Sequence, residues 1–314
     1  MDLEPTEDQL ALVGELRRFL TARVPTPALA SPELWSELVE MGVFTLPVSE
    51  AAGGVGLGWA EAALAFQELG RSGVAGPFVA TAAASGLRLA AGVTGLVALT
   101  EPAPERGSLL PLSRAASTVV EHLDHLASLL VIDEAGVRRV GVPEGRAVER
   151  PLDPLTPVHL VDELPLGEVV GDVEAARTLV LHATLLAAAQ QVGLGYAALD
   201  RATAYAKERQ QFGRPIGSFQ AVKHLLADAV VGLEVARAAV DAAAVTVDEG
   251  GDVDRAVTSA RIVASDAAAT ATRAAVQVHG GMGYTWELPL HLYLKRVLVL
   301  DQTPTLAPEA LHPA

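Results

Sequence analysis

Apolar positions along the chain change their period twice. Leu12, Leu16, Phe19 and Leu20 recur three and four residues apart, the spacing of one helical face. Thr6, followed by Glu7 and Asp8, supplies a capped start with acids where the helix dipole favours them. SPELWSELVEMG (31–42) predicts a second, short helix with Ser31 as N-cap, Pro32 as its first residue and Gly42 as its stop. Leu34 sits where a full capping box carries Glu or Gln, so that cap is partial. After the glycine-rich loop AAGGVGLG (51–58), a third helix is predicted over 59–73. Between residues 93 and about 165 the apolar runs shorten. LVAL (96–99), TVV (118–120), LLVI (129–132), VRRVGV (137–142) and VHLV (158–161), punctuated by Pro and Gly, read as short strands of a small β domain. Helical spacing then returns in long segments, from about Val173 to Arg209, Ser218 to Glu249 and Val253 to His279, with a last one from near Pro289. Their short connections predict an antiparallel bundle. The expected organisation is mainly α with a small β domain: a helical domain over 1–92, a reduced β domain over 93–171 and a helical bundle over 172–314.

Composition narrows the function classes. Half of the residues are hydrophobic but only 4% are aromatic, so the core is built from Ala, Leu and Val. A net charge of −15 argues against a nucleic-acid surface, which needs a basic patch. With no cysteine there is no disulfide framework and no thiolate nucleophile. The start MDLEPTEDQL is acidic where a signal peptide is basic, and no uninterrupted apolar run approaches about 18 residues. A soluble cytoplasmic protein without a membrane partner is expected.

Two stretches at helix junctions carry candidate chemistry. RQQFGRPIGSFQAVKH (209–224) places Arg209, Phe212 and Gln220 at a break between two long helices. Taken alone, Arg209 reads as a cation complementing a helix C-terminus. The functional reading is a bidentate grip on phosphate, with Phe212 covering an adenine or shaping a pocket floor and Gln220 donating from the next helix. In QVHGGMGYTWE (277–287) a helix ends at Gly280 and Gly281, and a third glycine follows at 283. That exceeds what a cap needs and lets backbone approach a diphosphate. The two stretches together point to a phosphate-bearing cofactor. GGVGLG is not a dinucleotide loop, because Trp59 stands in place of the last glycine and no strand precedes it. His122 and His125 in HLDH read as a solvated turn rather than a metal pair. His182, His224 and His279 read as packing or polar-edge residues. There is no G-x-S-x-G elbow and no P-loop, and no metal site is expected.

KERQQFGRPIGSFQAVKHLLADA (207–229) and QVHGGMGYTWELPLHLYLKR (277–296) resemble the two C-terminal signatures of acyl-CoA dehydrogenases. LVEMGVFTLPVSEAAGGVGLGWAEAALAFQELGRS (38–72) looks like that family's N-terminal helical segment, and ALTEP (98–102) like the start of its flavin segment. The resemblance implies a helical domain, a small β domain and a C-terminal four-helix bundle. It implies FAD as cofactor, an acyl-CoA thioester as substrate and an electron-transferring flavoprotein as acceptor. In such chemistry a carboxylate removes the α-proton, the β-carbon gives hydride to the flavin, and hydrogen bonds to the thioester oxygen stabilise enolate charge. Arg209 and Phe212 match residues that reach across a dimer interface to the adenosine-diphosphate half of FAD, with Gln220 matching a neighbour. Gln277, Gly280 and Gly281 match the second contact to that half, and Thr100 a threonine near the flavin ring.

The departures have their own pattern. The family's positions for the base fall on Pro304 and near Ala183, neither of which can take a proton. Asp301 lies within a turn of Pro304, and Glu287 matches a structural glutamate. The family's TEPxxGSD segment reads TEPAPERGSLL, and its later Trp-x-Thr stretch has no counterpart. The retained residues serve FAD across an interface, and the lost ones serve a chain's own active site. This resembles the short, degenerate subunit of actinobacterial heterotetrameric (α2β2) acyl-CoA dehydrogenases of steroid degradation. A partner subunit then supplies the base, and this chain's own catalytic residues stay unassigned. The alternatives are a self-sufficient homo-oligomer using Asp301 or another acid, and a non-catalytic acyl-CoA-binding or scaffold protein.

Overall fold

The computed structural model describes residues 4–90, 92, 94–98 and 117–302. The first helix, α1 (Glu7–Arg23), opens on a reciprocal cap: Thr6 Oγ1 accepts from Gln9 N at 3.2 Å, and Gln9 Oε1 accepts from Thr6 N at 2.9 Å. A two-residue strand, β1 (Ala28–Leu29), leads to α2 (Pro32–Glu40), where Ser31 Oγ accepts from Leu34 N and Leu34 points inward. The third helix, α3 (Trp59–Ser72), is followed by β2 (Val74–Ala75), which pairs in parallel with β1, and by α4 (Phe78–Gly86). Trp35, Phe44 and Phe78 stack at centroid separations of 4.7 to 5.7 Å and fill the space between α2 and α4.

Seven strands follow: β3 (Thr94–Ala98), β4 (Thr118–Glu121), β5 (Ser128–Asp133), β6 (Gly136–Val140), β7 (Arg146–Ala147), β8 (Val158–Val161) and β9 (Glu168–Gly171). They form a four-stranded sheet ordered β3-β5-β6-β9 and a three-stranded sheet ordered β4-β8-β7. A small core of Val120, Leu123, Leu129, Val131, Val140 and Val161 draws on both sheets, so they face one another. Leu130, Ile132 and Val137 turn the other way, into the main helical core. β5 is therefore buried on both faces, which is why it reads as a continuous apolar run rather than an alternation.

His122 departs from the solvated turn expected of HLDH. It is 1% exposed, it has a left-handed backbone (φ +55°), and neither ring nitrogen has a hydrogen-bond partner. Burial, reinforced by Arg296 and His125, holds its imidazole well below the ordinary value. Leu123 draws the turn inward as part of the small core, while His122 N is tied to Pro157 O at 2.7 Å.

The C-terminal helices are α5 (Val173–Glu208), α6 (Gln220–Glu249), α7 (Val253–His279) and α8 (Leu290–Leu300). Two short strands, β10 (Gln210–Gln211) and β11 (Arg214–Pro215), make a hairpin between α5 and α6. α5 meets the length and apolarity of a membrane span, but 94% of that stretch is buried, so its apolar surface faces the core. Arg261 donates to Gln191 and the Tyr205 ring stacks on His279, so α5 and α7 run parallel. Tyr196 Oη donates to Glu234 at 2.7 Å across the antiparallel α6. α3 crosses α5 at two glycines. A Cβ on Gly70 would lie 2.0 Å from Gln190 O, and one on Gly193 would lie 1.9 Å from Gln67 O.

Arg296 of α8 joins all three segments. It is 4% exposed; its Nη1 donates to Thr156 Oγ1 at 2.6 Å and its Nη2 to Gly76 O at 3.3 Å. The fully buried Asp153 lies 3.9 Å away and accepts from Leu155 N and from Thr156 Oγ1.

His182 of α5 is a packing residue, stacked on Trp59 of α3 with centroids 3.7 Å apart. Burial lowers its pKa to about 4, so it is neutral in the fold. The unfolded chain takes up that proton below about pH 6.5. The stability held by neutral His182 is full above that pH and drains away as pH falls toward 4. Between pH 7 and 5 the wild type is expected to lose about 2 kcal/mol more than His182→Phe, read from urea melts at both pH values. Equal losses in the two proteins would refute this.

Candidate functional site

Parallel α5 and α7, with α6 antiparallel between them, bring three termini to one end of the bundle. The C-terminus of α5, the N-terminus of α6 and the C-terminus of α7 meet there. Tyr205, one turn before Arg209, stacks on His279 with centroids 4.2 Å apart. His279 Nδ1–H donates to Ala275 O at 2.8 Å, which fixes the ring. This clamp holds the Arg209 hairpin beside the glycine pair that follows α7.

Arg209 closes α5. Its N–H donates to Tyr205 O, and its carbonyl accepts from Ile216 N, both at 2.8 Å. Its backbone is thus held on both sides, while its guanidinium has no partner among the described residues. The hairpin turns through Phe212 (φ +53°) and Gly213 (φ +76°). A bulky side chain at positive φ is costly, and such strain persists where something else requires it. Phe212 is 91% exposed and meets Phe219 edge-on at 6.1 Å, while the Arg214 guanidinium lies 4.1 Å over Phe219. Among the described residues Phe212 floors no pocket; its ring projects outward. Gln220, the first residue of α6, is exposed, as is Gln277 near the end of α7.

The three glycines divide into two kinds. A Cβ on Gly280 or Gly281 would meet nothing within 4 Å, so their backbone is open to an incoming group. A Cβ on Gly283 would lie 2.6 Å from Val276 O, so that glycine serves packing instead. An unpaired guanidinium, two exposed amides and an open glycine pair form a set of donors of the kind a diphosphate accepts from.

The positions considered for a base do not come together here. Ala183 is fully buried in α5. Asp301 caps α8, and its Oδ1 accepts from Ser265 Oγ at 2.5 Å and lies 3.3 Å from Arg261 Nη2. That carboxylate is committed to holding α8 against α7. Thr100 and Pro304 lie outside the described residues. Among the described residues no group of His, Asp and Glu is arranged to hold a metal. Sequence reasoning missed Arg296, whose role depends on partners 140 and 220 residues away. It also missed the backbone strain at Phe212, for which its place beside Gly213 in a two-residue hairpin was the available signal.

Comparison with known proteins agrees with this architecture. Residues 6–93 match the family model of the acyl-CoA dehydrogenase N-terminal domain, and residues 173–302 that of the C-terminal domain. The chain is 36% identical over 265 residues to the acyl-CoA dehydrogenase IpdE2 of Mycobacterium tuberculosis, covering 84% of this chain and 79% of that protein. It resembles the ChsE4-ChsE5 complex of the same organism at 25% identity and a TM-score of 0.76, covering 96% of this chain and 94% of that one. The structure of the Tcur3481-Tcur3483 steroid ACAD superimposes with a TM-score of 0.73 at 24% identity, covering 97% and 96% of the two chains. With helical segments matching the family's two helical domains, a β segment between them and a relative 36% identical over most of both chains, this chain belongs to the acyl-CoA dehydrogenase family, whose cofactor is FAD.

Proposed function

We propose that the chain is one subunit of a heteromeric acyl-CoA dehydrogenase, contributing FAD contacts across an interface while a partner subunit supplies the base. The observation that carries this reading is the outward-facing set at the end of the bundle. Arg209 is unpaired, Phe212 is strained and exposed, and Gly280 and Gly281 are open, and all four stand exposed among the described residues. Side chains so placed serve a ligand held largely by another chain. Arg209 grips phosphate, Gln277 and Gln220 orient the nucleotide, and Phe212 covers it. When bound, FAD supplies the hydride acceptor. The engagement of Asp301 by Ser265 and Arg261 also favours a base from elsewhere. The steroid class of acyl group rests on the resemblance to the Tcur3481-Tcur3483 steroid ACAD, and the two-chain assembly on that to ChsE4-ChsE5. A cytoplasmic site and reoxidation by an electron-transferring flavoprotein belong to the same reading.

The test is the visible spectrum and native mass of the chain, purified alone and coexpressed with candidate acyl-CoA dehydrogenase partners. Flavin confined to a mixed complex, at fewer than one per chain, is the expected result. Arg209→Ala in that complex should weaken FAD retention about 10- to 100-fold, the value of one charge-assisted contact, without lowering the melting temperature. A yellow lone protein with one FAD per chain, and turnover abolished by Asp301→Asn, would overturn the shared site.

A further inference from the structure

We propose that Arg273 is a second cationic contact to the cofactor diphosphate, acting from α7 one turn before Gln277; this deepens the cofactor reading above and depends on it. Arg273 lies one turn before Gln277 on the same helical face, about 6 Å along the axis. Asp266, Thr270, Arg273, Gln277 and Gly280 form an exposed stripe of α7 that runs down to the open glycine pair.

The charge pattern singles this residue out. Most arginines of the described residues are engaged: Arg17 with Glu68, Arg71 with Asp200, Arg177 with Glu174 and Asp254, Arg237 with Glu234. In a chain of net charge −15, free cations are scarce. Along the described bundle, the side chains of Lys207, Arg209, Lys223, Arg255 and Arg273 have no hydrogen bond, ion pair or ring contact, and Arg255 lies in the first turn of α7, at the other end. Three of these five, Lys207, Arg209 and Lys223, flank the hairpin between α5 and α6. Arg273 is brought to the same end by the parallel course of α7 and the Tyr205–His279 clamp. Neither Asp266 on its own helix nor Asp228 on α6 pairs with it.

A diphosphate brings two negative charges, and Arg209 answers one of them. A second guanidinium completes the balance with the planar donor geometry that phosphate oxygens accept. Arg273 is not one of the residues matched to the family motifs; its placement alone recommends it.

The test compares FAD dissociation from the flavin-loaded complex, by recovery of flavin fluorescence, for wild type, Arg273→Gln and Arg209→Ala at low and high salt. ADP and AMP serve as competing probes. Arg273→Gln is expected to weaken FAD about 10-fold, flatten the salt dependence and narrow the preference for ADP over AMP, with melting temperature unchanged. Arg273→Lys should recover part of the loss. If Arg273→Gln keeps wild-type affinity and salt dependence while Arg209→Ala loses FAD, Arg273 is not a contact and the shared site stands. If neither variant changes FAD binding, the cofactor reading itself fails.

Discussion

Gly193→Ala is expected to lower the free energy of unfolding by about 3 kcal/mol, and Gly70→Ala to do much the same. Intrinsic propensity predicts the opposite sign, because alanine inside a helix is favoured over glycine by about 1 kcal/mol. The crossing of α3 and α5 decides the matter. A methyl on Gly193 would lie 1.9 Å from Gln67 O and 2.8 Å from Arg71 N, and one on Gly70 would lie 2.0 Å from Gln190 O. All of these are backbone atoms, which cannot swing aside as a side chain would. The two helices would have to separate along a contact that joins the N-terminal segment to the bundle. Urea melts of either variant check this, and Gly14→Ala is the control, since a Cβ there meets nothing within 4 Å. A stabilised Gly193→Ala would mean that the helices do not cross so closely.

Arg296→Leu is expected to cost about 3 to 5 kcal/mol, since removing one partner of a buried pair leaves the other charge uncompensated. Arg296 and Asp153 are 4% and 0% exposed. The loss also frees Thr156 Oγ1 and Gly76 O, so the turn before α4 and the loop after β7 lose their common tether to α8. Arg296→Leu combined with Asp153→Asn should recover part of the loss, because no lone charge is then buried. If the double variant is less stable than the single one by the full cost of a second deletion, the two residues act independently and the proposed coupling is absent.

Much of the architecture was legible because the chain marks its helix ends with unusual clarity. Asp172 and Asp252 cap α5 and α7 through their side chains, and Gly250 and Gly280 follow α6 and α7. The expected helices from Val173, to Glu249 and over Val253 to His279 end where the structure ends them. β9, with its single branched pair Val169 and Val170, carried too weak a pattern to be read as a strand. The β1–β2 pair, two residues long, owes its existence to neighbours rather than to its own residues. His122 shows the limit most plainly. A histidine beside Asp124 and His125 looks solvated by composition, and only the packing of Leu123 between two sheets buries it. The site was partly legible for a related reason. Arg209, Gln220, Gln277 and the glycine pair stand at helix ends, which sequence locates well. Their convergence depends on the relative direction of α5 and α7, which no local pattern states.

The Tyr205–His279 clamp sets two helices to one common measure. Each residue inserted into an α-helix turns everything beyond it by about 100° and advances it by about 1.5 Å. Between the Gln191–Arg261 contact and the Tyr205–His279 contact, α5 advances 14 residues and α7 advances 18, so the two contacts together fix the count in each helix. A single insertion or deletion in either stretch would swing Arg209 or Gln277 away from the other while leaving both helices intact. Substitutions among the alanines there should be tolerated far more readily than any change in their number. Laboratory libraries of this protein should therefore show length as the conserved quantity along these helices, with identity left comparatively free.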